Sequence, residues 1–325
     1  TNFKIKKINM SNYVLNDIDI YNKTLNDTLF FRSDFTGGTS KTERFGLSFY
    51  YTIDASNKSV IGIQKSKILL KNTPWFLNPE DDKKNKLVFD IQQNTFEFDA
   101  FKFKSGIQQI AFTGVVKDTS YKDLKLNFKK VNLAEVLPKI DSLSLGGELN
   151  GNLHFFQEKG VYNPLGHLSI SDLSINNALQ GDVEMQVLAE DSYQKYRVDL
   201  RLLNDALKSL DASGYVNLNL TQPTLDLKVA LKAFQLNAFS PLGKNTLSKI
   251  RGFADGAFTL SGPISNPYMD GNLQLTNSGF KFPYLNIDYS LDNSTNLKLV
   301  GQSFVFEDVQ VEDVAHNTQG ELSGF

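Results

Sequence analysis

The chain has 325 residues, no cysteine and a formal net charge of −2. These values exclude disulfides and thiolate metal sites, and they give no bulk electrostatic reason to bind nucleic acid. Phe and Tyr are abundant, whereas Trp75 is the only tryptophan. With Asn, Lys and Asp in the alternate positions, this composition is typical of many amphipathic strands. No apolar run approaches the ~20 residues that a membrane-spanning helix needs.

A repeat with a period of about 105 residues links three parts of the chain. Gly46, Gly151 and Gly256 are each 105 residues apart, and each begins a run of alternating polar and apolar side chains. Two further sets keep nearly the same spacing: Gly62, Gly166 and Gly271, and the pairs Phe96/Phe98, Leu200/Leu202 and Phe304/Phe306. The period predicts three all-β copies over residues 1–118 (partly degenerate), 119–222 and 223–325 (truncated), within one continuous elongated β domain.

The strands themselves are predicted from alternation in steps of two, because side chains two residues apart lie on the same face of a strand. One segment requires Asp99–Ala100 to be a bulge or turn. The apolar positions that we predict to line one face of the sheet are Phe96, Phe98, Phe101, Phe103, Leu124, Leu126, Phe128, Val183, Met185, Val187, Val198, Leu200, Leu202, Leu225, Leu227, Val229, Leu285, Ile287, Phe304 and Phe306. The same pattern is also compatible with the sealed core of a β-sandwich.

Helical signals are short. Asn132 and Glu135 have the spacing of a capping box, which predicts one or two helical turns before Pro138. Residues 237–242 predict a second short turn at the equivalent place one repeat later. Residues 71–86 contain Pro74, Pro79 and a run of charges, and we predict that they form a solvated loop.

Sequence signals for catalysis or metal binding are weak. His154, His167 and His316 are the only histidines, and none has a second ligand at metal-binding spacing on a helix. The chain lacks a Gly-x-Ser-x-Gly elbow, a P-loop and a dinucleotide fingerprint. We therefore expect no enzymatic activity, no cofactor and no metal.

The second and third copies share a longer motif. The second copy reads Gly147-Glu-Leu-Asn-Gly151 and then Asn163-Pro164-Leu-Gly166, and the third reads Gly252-Phe-Ala-Asp-Gly256, Gly262-Pro263, Asn266-Pro267 and Gly271. This pattern of strand, turn, Asn-Pro, Gly and alternating strand resembles the TamB branch of the AsmA-like envelope proteins of Gram-negative bacteria. The segment from Trp75 to Asp118 is similar to the version in Bacteroidetes-type members. The resemblance covers most of the chain from about Gly46 onward.

The resemblance implies a place and a function. Members of this family are long periplasmic proteins, anchored in the inner membrane at one end and meeting an outer-membrane barrel of the TamA type at the other. Their strands form a folded-over sheet, open as a trough with an apolar concave face, and they are implicated in phospholipid transport and outer-membrane protein assembly. On this basis we expect phospholipid acyl chains to lie against the apolar positions named above.

The chain begins at Thr1 without a methionine and ends at Phe325 in a strand-like segment. We therefore expect it to be an internal piece, with the membrane anchor and the barrel-binding terminus outside it. Two alternatives remain open. One is a scaffold that holds unfolded outer-membrane strands by β-augmentation. The other is a repetitive adhesin of stacked β-sandwiches, which predicts sealed cores and a domain boundary near residue 119 or 222.

Overall fold

A computed structural model describes residues 2–10, 13–38, 42–118, 120–137, 144–159, 161–162, 165–190, 195–205, 207–217, 222–243 and 246–325. The chain divides into two compact units. The N-terminal unit comprises Thr1–Val136 and Leu149–Pro164, and the C-terminal unit comprises Leu137–Glu148 and Leu165–Phe325. Several positions named above lie outside the described residues: Thr119, Pro138, Asn163 and Pro164.

Strands make up most of the described chain, which confirms the predicted all-β fold class. The first half contains β1 (Asn2–Met10), β2 (Tyr13–Leu25), β3 (Thr28–Gly37), β4 (Glu43–Ile53), β5 (Ser59–Ile63), β6 (Ser66–Leu70), β7 (Thr73–Leu77), β8 (Lys86–Asp90), β9 (Thr95–Ser105), β10 (Gln108–Lys117), β11 (Tyr121–Asn132) and the helix α1 (Leu133–Val136). The second half contains β12 (Leu145–Glu158), β13 (Val161–Tyr162), β14 (Leu165–Ile175), β15 (Ala178–Ala189), β16 (Lys195–Asn204), β17 (Leu207–Asn217), β18 (Thr224–Gln235), the 3₁₀ helix η1 (Asn237–Gly243), β19 (Ser248–Pro263), β20 (Tyr268–Phe282), β21 (Ile287–Leu291), β22 (Thr295–Gly301), β23 (Ser303–Asp313) and β24 (Gln319–Gly324).

Both predicted helical turns are confirmed as α1 and η1. The Oδ1 atom of Asn132 accepts a hydrogen bond from the backbone N–H of Ala134 at 3.0 Å, so Asn132 caps α1. Its side-chain amide donates to Glu135 Oε1 at 3.2 Å, which completes the contact between the two residues of the predicted box.

The N-terminal unit is built from strands that pair mainly with their neighbours in sequence. β1 to β4 follow one another across the sheet, and β9, β10 and β11 do the same. Between them, β4 pairs with both β5 and β6, and β9 pairs with both β7 and β8. The short strands β5 and β6 together occupy the position of one long strand beside β4, and β7 and β8 do the same beside β9.

The prediction of a solvated loop over residues 71–86 is wrong in part. Pro74 lies inside β7, where its missing N–H is tolerated in a short strand. The charged run follows in a loop that is held by Asn78, which is almost fully buried. The Asn78 side-chain amide donates to the carbonyls of Ile63 at 2.7 Å and Asp82 at 2.9 Å. The loop is therefore ordered around one buried amide, which composition alone did not indicate.

The C-terminal unit is an antiparallel meander. From β14 to β20 each strand pairs with the next, and β22, β23 and β24 continue in the same way. β17 ends before residue 222 and β18 begins after it, and the two strands pair over eight positions. The sheet of this unit is therefore continuous across the position where the adhesin alternative places a boundary. The division into three copies stays a prediction.

β-bulges recur along both units with the same local chemistry. Lys130 and Ala233 lie in strands but have φ of 51° and 45°, a left-handed backbone that is rare for residues with a Cβ. In each case the bulged N–H donates to a side chain of the next strand: Lys130 to Asn150 at 2.8 Å, and Ala233 to Asp255 at 3.0 Å. The two donors are 103 residues apart and the two acceptors 105, so the bulge and its acceptor both recur with the repeat. The bulge predicted at Asp99–Ala100 is confirmed by a φ of 53° at Ala100 and a register shift between β9 and β10.

We expect Asp255→Ala to destabilise the protein by about 2 kcal/mol, because it removes a charged acceptor from the bulged N–H of Ala233. Asp255→Asn keeps an acceptor oxygen and is the matched control, with less than half of that loss expected. Urea unfolding followed by circular dichroism measures both. Equal losses for the two variants would contradict the role of the hydrogen bond.

Candidate functional site

The C-terminal unit carries a nearly continuous apolar face made of three rows that cross the sheet. Directly opposed residues of antiparallel strands place their side chains on the same face, so the strand register defines each row. The inner row consists of Ile170, Val183, Leu202, Leu210, Leu231, Gly256, Leu273, Leu297 and Phe306. The middle row consists of Leu168, Met185, Leu200, Ala212, Val229, Phe258, Gly271, Leu299 and Phe304. The outer row consists of Gly166, Val187, Val198, Gly214, Leu227, Leu260, Met269 and Gly301.

The opposite face of the same strands is polar. One row there reads Glu184, Arg201, Asp211, Ala230, Ala257, Asn272 and Lys298. Two shallow depressions of about 440 and 480 Å³ lie over Ala230 on this side, between charged side chains of the neighbouring strands. The sheet thus separates a charged face from an apolar one.

Exposure varies within the apolar face. Leu202 in the inner row is 3% exposed and Leu299 in the middle row is 1% exposed, whereas Phe304 in the middle row is 51% exposed. In the outer row the side chains of Val187, Val198 and Leu227 are all half-buried. The face is therefore only partly covered, and its outer row contains side chains that remain accessible.

The cover over the inner margin includes η1. Phe239 of η1 packs on the cluster formed by Val183, Leu202 and Phe234, and its ring lies 6.0 Å from that of Phe234. Ala238 is fully buried, and its carbonyl accepts a hydrogen bond from the Asn176 side chain at 2.9 Å. This short helix therefore packs over part of the inner row.

The N-terminal unit carries an apolar face of its own, with more aromatic residues. One row reads Leu29, Tyr51, Ile61, Leu87, Phe98, Gly114 and Leu124. Two further rows read Leu77, Phe103, Ile110 and Phe128, and Phe101, Phe112 and Leu126. The rings of Phe98 and Phe112 meet edge to face with centroids 5.1 Å apart, and those of Phe31 and Phe49 stack at 4.9 Å.

Most of the predicted lining residues lie on strands of these two faces. Phe96, Phe98, Phe101 and Phe103 are in β9, and the bulge at Ala100 keeps both pairs on the apolar side. The remaining N-terminal positions, Leu124, Leu126 and Phe128, are in β11. In the C-terminal unit the strands β15, β16, β18, β21 and β23 hold Val183, Met185, Val187, Val198, Leu200, Leu202, Leu225, Leu227, Val229, Ile287, Phe304 and Phe306.

Leu285 is the exception. It lies in the turn before β21, where its side chain is 54% exposed, so the prediction that it belongs to an alternating strand is wrong. Pro283 stops the strand pairing of β20, and the alternation resumes at Ile287. Sequence analysis also missed the aromatic pairs of β3 and β4, although Phe45, Leu47 and Phe49 alternate in the same way as the chosen segments.

Much of the two faces remains in contact with water. The accessible surface of the chain is 19475 Å² at a mass of 36.5 kDa. Two separate compact domains of half this mass would together expose only about 16,000 Å². The larger area fits sheets whose apolar faces are only partly covered.

Two histidines of the described chain lie next to aspartate side chains. His154 Nε2 lies 2.7 Å from Asp123 Oδ1, and His316 Nδ1 lies 2.9 Å from Asp313 Oδ2. Within the described residues, no three His, Asp or Glu side chains come together as a metal site would require. Across that same part of the chain, no helix has the length and apolar character needed to cross a membrane.

No family model matches the chain, and no match exists among the curated proteins or the solved structures.

Proposed function

We propose that the chain is a hydrophobic conduit that carries phospholipids by their acyl chains across the periplasm of a Gram-negative bacterium, between the inner and outer membranes. The observation that carries the proposal is the apolar face with an accessible outer row, backed by a charged face on the same strands. Large exposed apolar patches on soluble proteins mark interaction sites, because their exposure is otherwise unfavourable.

The dimensions of the face suit an acyl chain. Nine strands spaced ~4.8 Å apart carry the middle row over about 38 Å, and neighbouring rows lie about 7 Å apart along the strands. A chain lying along the rows meets Leu, Val, Met, Ile or Phe side chains on most strands, and the glycines and the alanine at the remaining positions add no polar side chain. The lining is therefore suited to holding hydrocarbon without selecting one position.

The energetics favour a surface of this kind. Each methylene group exposed to water costs about 0.8 kcal/mol, so a sixteen-carbon chain costs on the order of 12 kcal/mol to carry bare through an aqueous compartment. A continuous apolar wall lowers this barrier without a chemical step. Headgroups would remain in water beside the outer row, where they need no specific pocket.

The proposal extends to the cellular setting. The strand pattern that resembles the TamB branch of the AsmA-like proteins supports a role in outer-membrane biogenesis. In that setting a membrane anchor and a segment that meets an outer-membrane barrel lie in parts of the polypeptide beyond this chain.

A second candidate function is a scaffold that captures unfolded outer-membrane strands. The observation in its favour is again the apolar face, where the half-buried Val187, Val198 and Leu227 can contact the apolar side chains of an unfolded strand. This alternative predicts peptide binding by a protein that purifies free of lipid.

Native mass spectrometry of the purified chain, with extraction of its lipids, tests the conduit. We expect several phospholipid molecules per chain with mixed headgroups, because the face offers many equivalent positions. A lipid-free and monodisperse protein, after expression in the periplasm, would overturn the proposal in favour of sealed apolar faces or the strand scaffold.

A further inference from the structure

The two short helices each accept a hydrogen bond from a side chain in a distant hairpin turn. In the C-terminal unit the side-chain amide of Asn176 donates to the carbonyl of Ala238 in η1 at 2.9 Å. In the N-terminal unit the ammonium group of Lys71 donates to the carbonyl of Ala134 in α1, also at 2.9 Å. The two donors are 105 residues apart and the two acceptors 104, so the contact recurs with the period of the sequence repeat.

The two donors occupy the same place in the same kind of turn. Lys71 and Asn72 join β6 to β7, and Asn176 and Asn177 join β14 to β15. All four residues have left-handed φ angles between 46° and 68°, which is the pattern of a two-residue type I′ turn. Each donor is the first residue of its turn. The turn and the hydrogen bond therefore recur, although the donor side chains differ in chemistry.

Each helix reaches across several strands to its turn. η1 follows β18, which lies three strand pairings from β15. α1 follows β11, which likewise lies three pairings from β7. Three pairings correspond to about 14 Å across a flat sheet. Each helix is therefore a strap that connects non-adjacent strands within its own unit.

The strap η1 covers apolar side chains of the inner row. Phe239 packs on Val183 and Leu202, which are 6% and 3% exposed. Val187 lies on the same face of β15, in the outer row, and is half-buried. The side chains beneath η1 are therefore less accessible than a neighbour on the same strand.

Two side-chain hydrogen bonds within the described chain fasten η1 to the sheet. Ser240 Oγ accepts from the backbone N–H of Ile250 at 3.1 Å, which ties η1 to β19, the strand that follows it. The bond from Asn176 to Ala238 ties the far side, beyond β16 and β17. Because 3₁₀ helices have poorer internal hydrogen bonds than α-helices, η1 depends on such external contacts. Without the Asn176 bond, packing alone would hold the far side of η1.

We propose that η1 and α1 are latched straps that control access to the apolar side chains beneath them. The latch is the hydrogen bond from the turn to the helix carbonyl, and Asn176 and Lys71 are its positioning residues. Given the conduit proposed above, on which this role rests, acyl chains reach the covered side chains only after the latch opens. With the latch closed, lipid is confined to the rest of the face.

The absence of cysteine allows a sensitive test on the full chain without lipid. A single cysteine in place of Val183, beneath η1, reports the access of a maleimide reagent. Cysteine is small and apolar, so V183C is compatible with the packing of the cluster. We expect N176D to raise the labelling rate of V183C about tenfold, because Asp keeps the shape and the left-handed turn but lacks the N–H donor.

Two controls separate release of the strap from general loosening of the sheet. N177D introduces the same charge at the next residue of the same turn, where the side chain is exposed. V187C places the probe on the same strand and face, in the outer row. We expect unchanged labelling of V183C in N177D and of V187C in N176D. Equal labelling of V183C in N176D and N177D overturns the proposal, and so does an equal increase at both probe positions in N176D.

A short-chain phosphatidylcholine, added to the same samples, distinguishes the strap from the conduit. In N176D we expect this lipid to slow the labelling of V183C toward the rate of the chain with Asn176, because acyl chains occupy the released row. Faster labelling in N176D without protection by lipid would support the strap and overturn acyl-chain binding beneath it. Protection of V187C by the lipid in the presence of Asn176 tests the conduit by itself, so failure of the two proposals is distinguishable.

Discussion

Leu227→Asp is expected to weaken the binding of a phospholipid with a fluorescent acyl chain at least about tenfold. Leu227 lies in the accessible outer row between Gly214 and Leu260. A carboxylate there must keep its water, because burying a charge against hydrocarbon without a partner costs several kcal/mol. Fluorescence anisotropy of the labelled lipid measures the change.

The matched control for this variant is Asn272→Asp. Asn272 is exposed on the charged face of β20, opposite Lys298, so the substitution adds a charge without touching the apolar rows. We expect normal lipid affinity. Circular dichroism and thermal unfolding of both variants establish that they fold, and equal lipid affinity in two folded variants would contradict acyl-chain binding at the outer row.

Leu299→Ala is expected to destabilise the protein by about 3–4 kcal/mol. Leu299 is 1% exposed and packs in the cluster that also contains Ala254, Leu273 and Leu297. Shortening the side chain removes buried apolar atoms and also leaves a cavity. A buried Leu→Ala change of this kind lowers the free energy of unfolding by about 2–5 kcal/mol. Urea unfolding, with the linear extrapolation to water, measures the loss.

Val300→Ala is the comparison for Leu299→Ala, one residue further along the same strand. Val300 faces the opposite side of β22 and is 46% exposed. We expect a loss well below 1 kcal/mol, since little apolar surface is buried there. Similar losses for the two variants would mean that the two faces of β22 are equally buried, which contradicts the asymmetry of the sheet.

The strands and their apolar faces were largely predictable from sequence. Alternation in steps of two has a direct physical cause, and segments such as Leu225, Leu227 and Val229 keep it without interruption. Turns with glycine and proline separate the segments clearly. The face that each strand presents therefore followed from its side chains.

The bulges and the packing of η1 over the inner row were not predictable in the same way. Lys130 and Ala233 have no local preference for a left-handed backbone, and their bulges depend on Asn150 and Asp255 in the next strand. Such acceptors are identified only once the register is known. The position of η1 was predicted, but its packing of Phe239 over the inner row depends on tertiary contacts.

The uneven distribution of charge along the chain was also visible in the sequence. The totals nearly cancel, but residues 1–136 contain 21 Lys and Arg against 15 Asp and Glu, and residues 137–325 contain 13 against 21. Summing the charges over each part of the chain, and not only over the whole chain, is enough to find this distribution.

The most direct test of lipid binding by the apolar face is site-specific photocrosslinking in cells. A benzophenone side chain is introduced at Leu227 in the outer row, or at Asn272 on the charged face of a nearby strand. After irradiation, mass spectrometry of the purified protein identifies the adducts. Phospholipid attached at position 227 and absent at position 272 is the predicted result. Lipid adducts of equal yield at both positions, or none at position 227, would contradict the account.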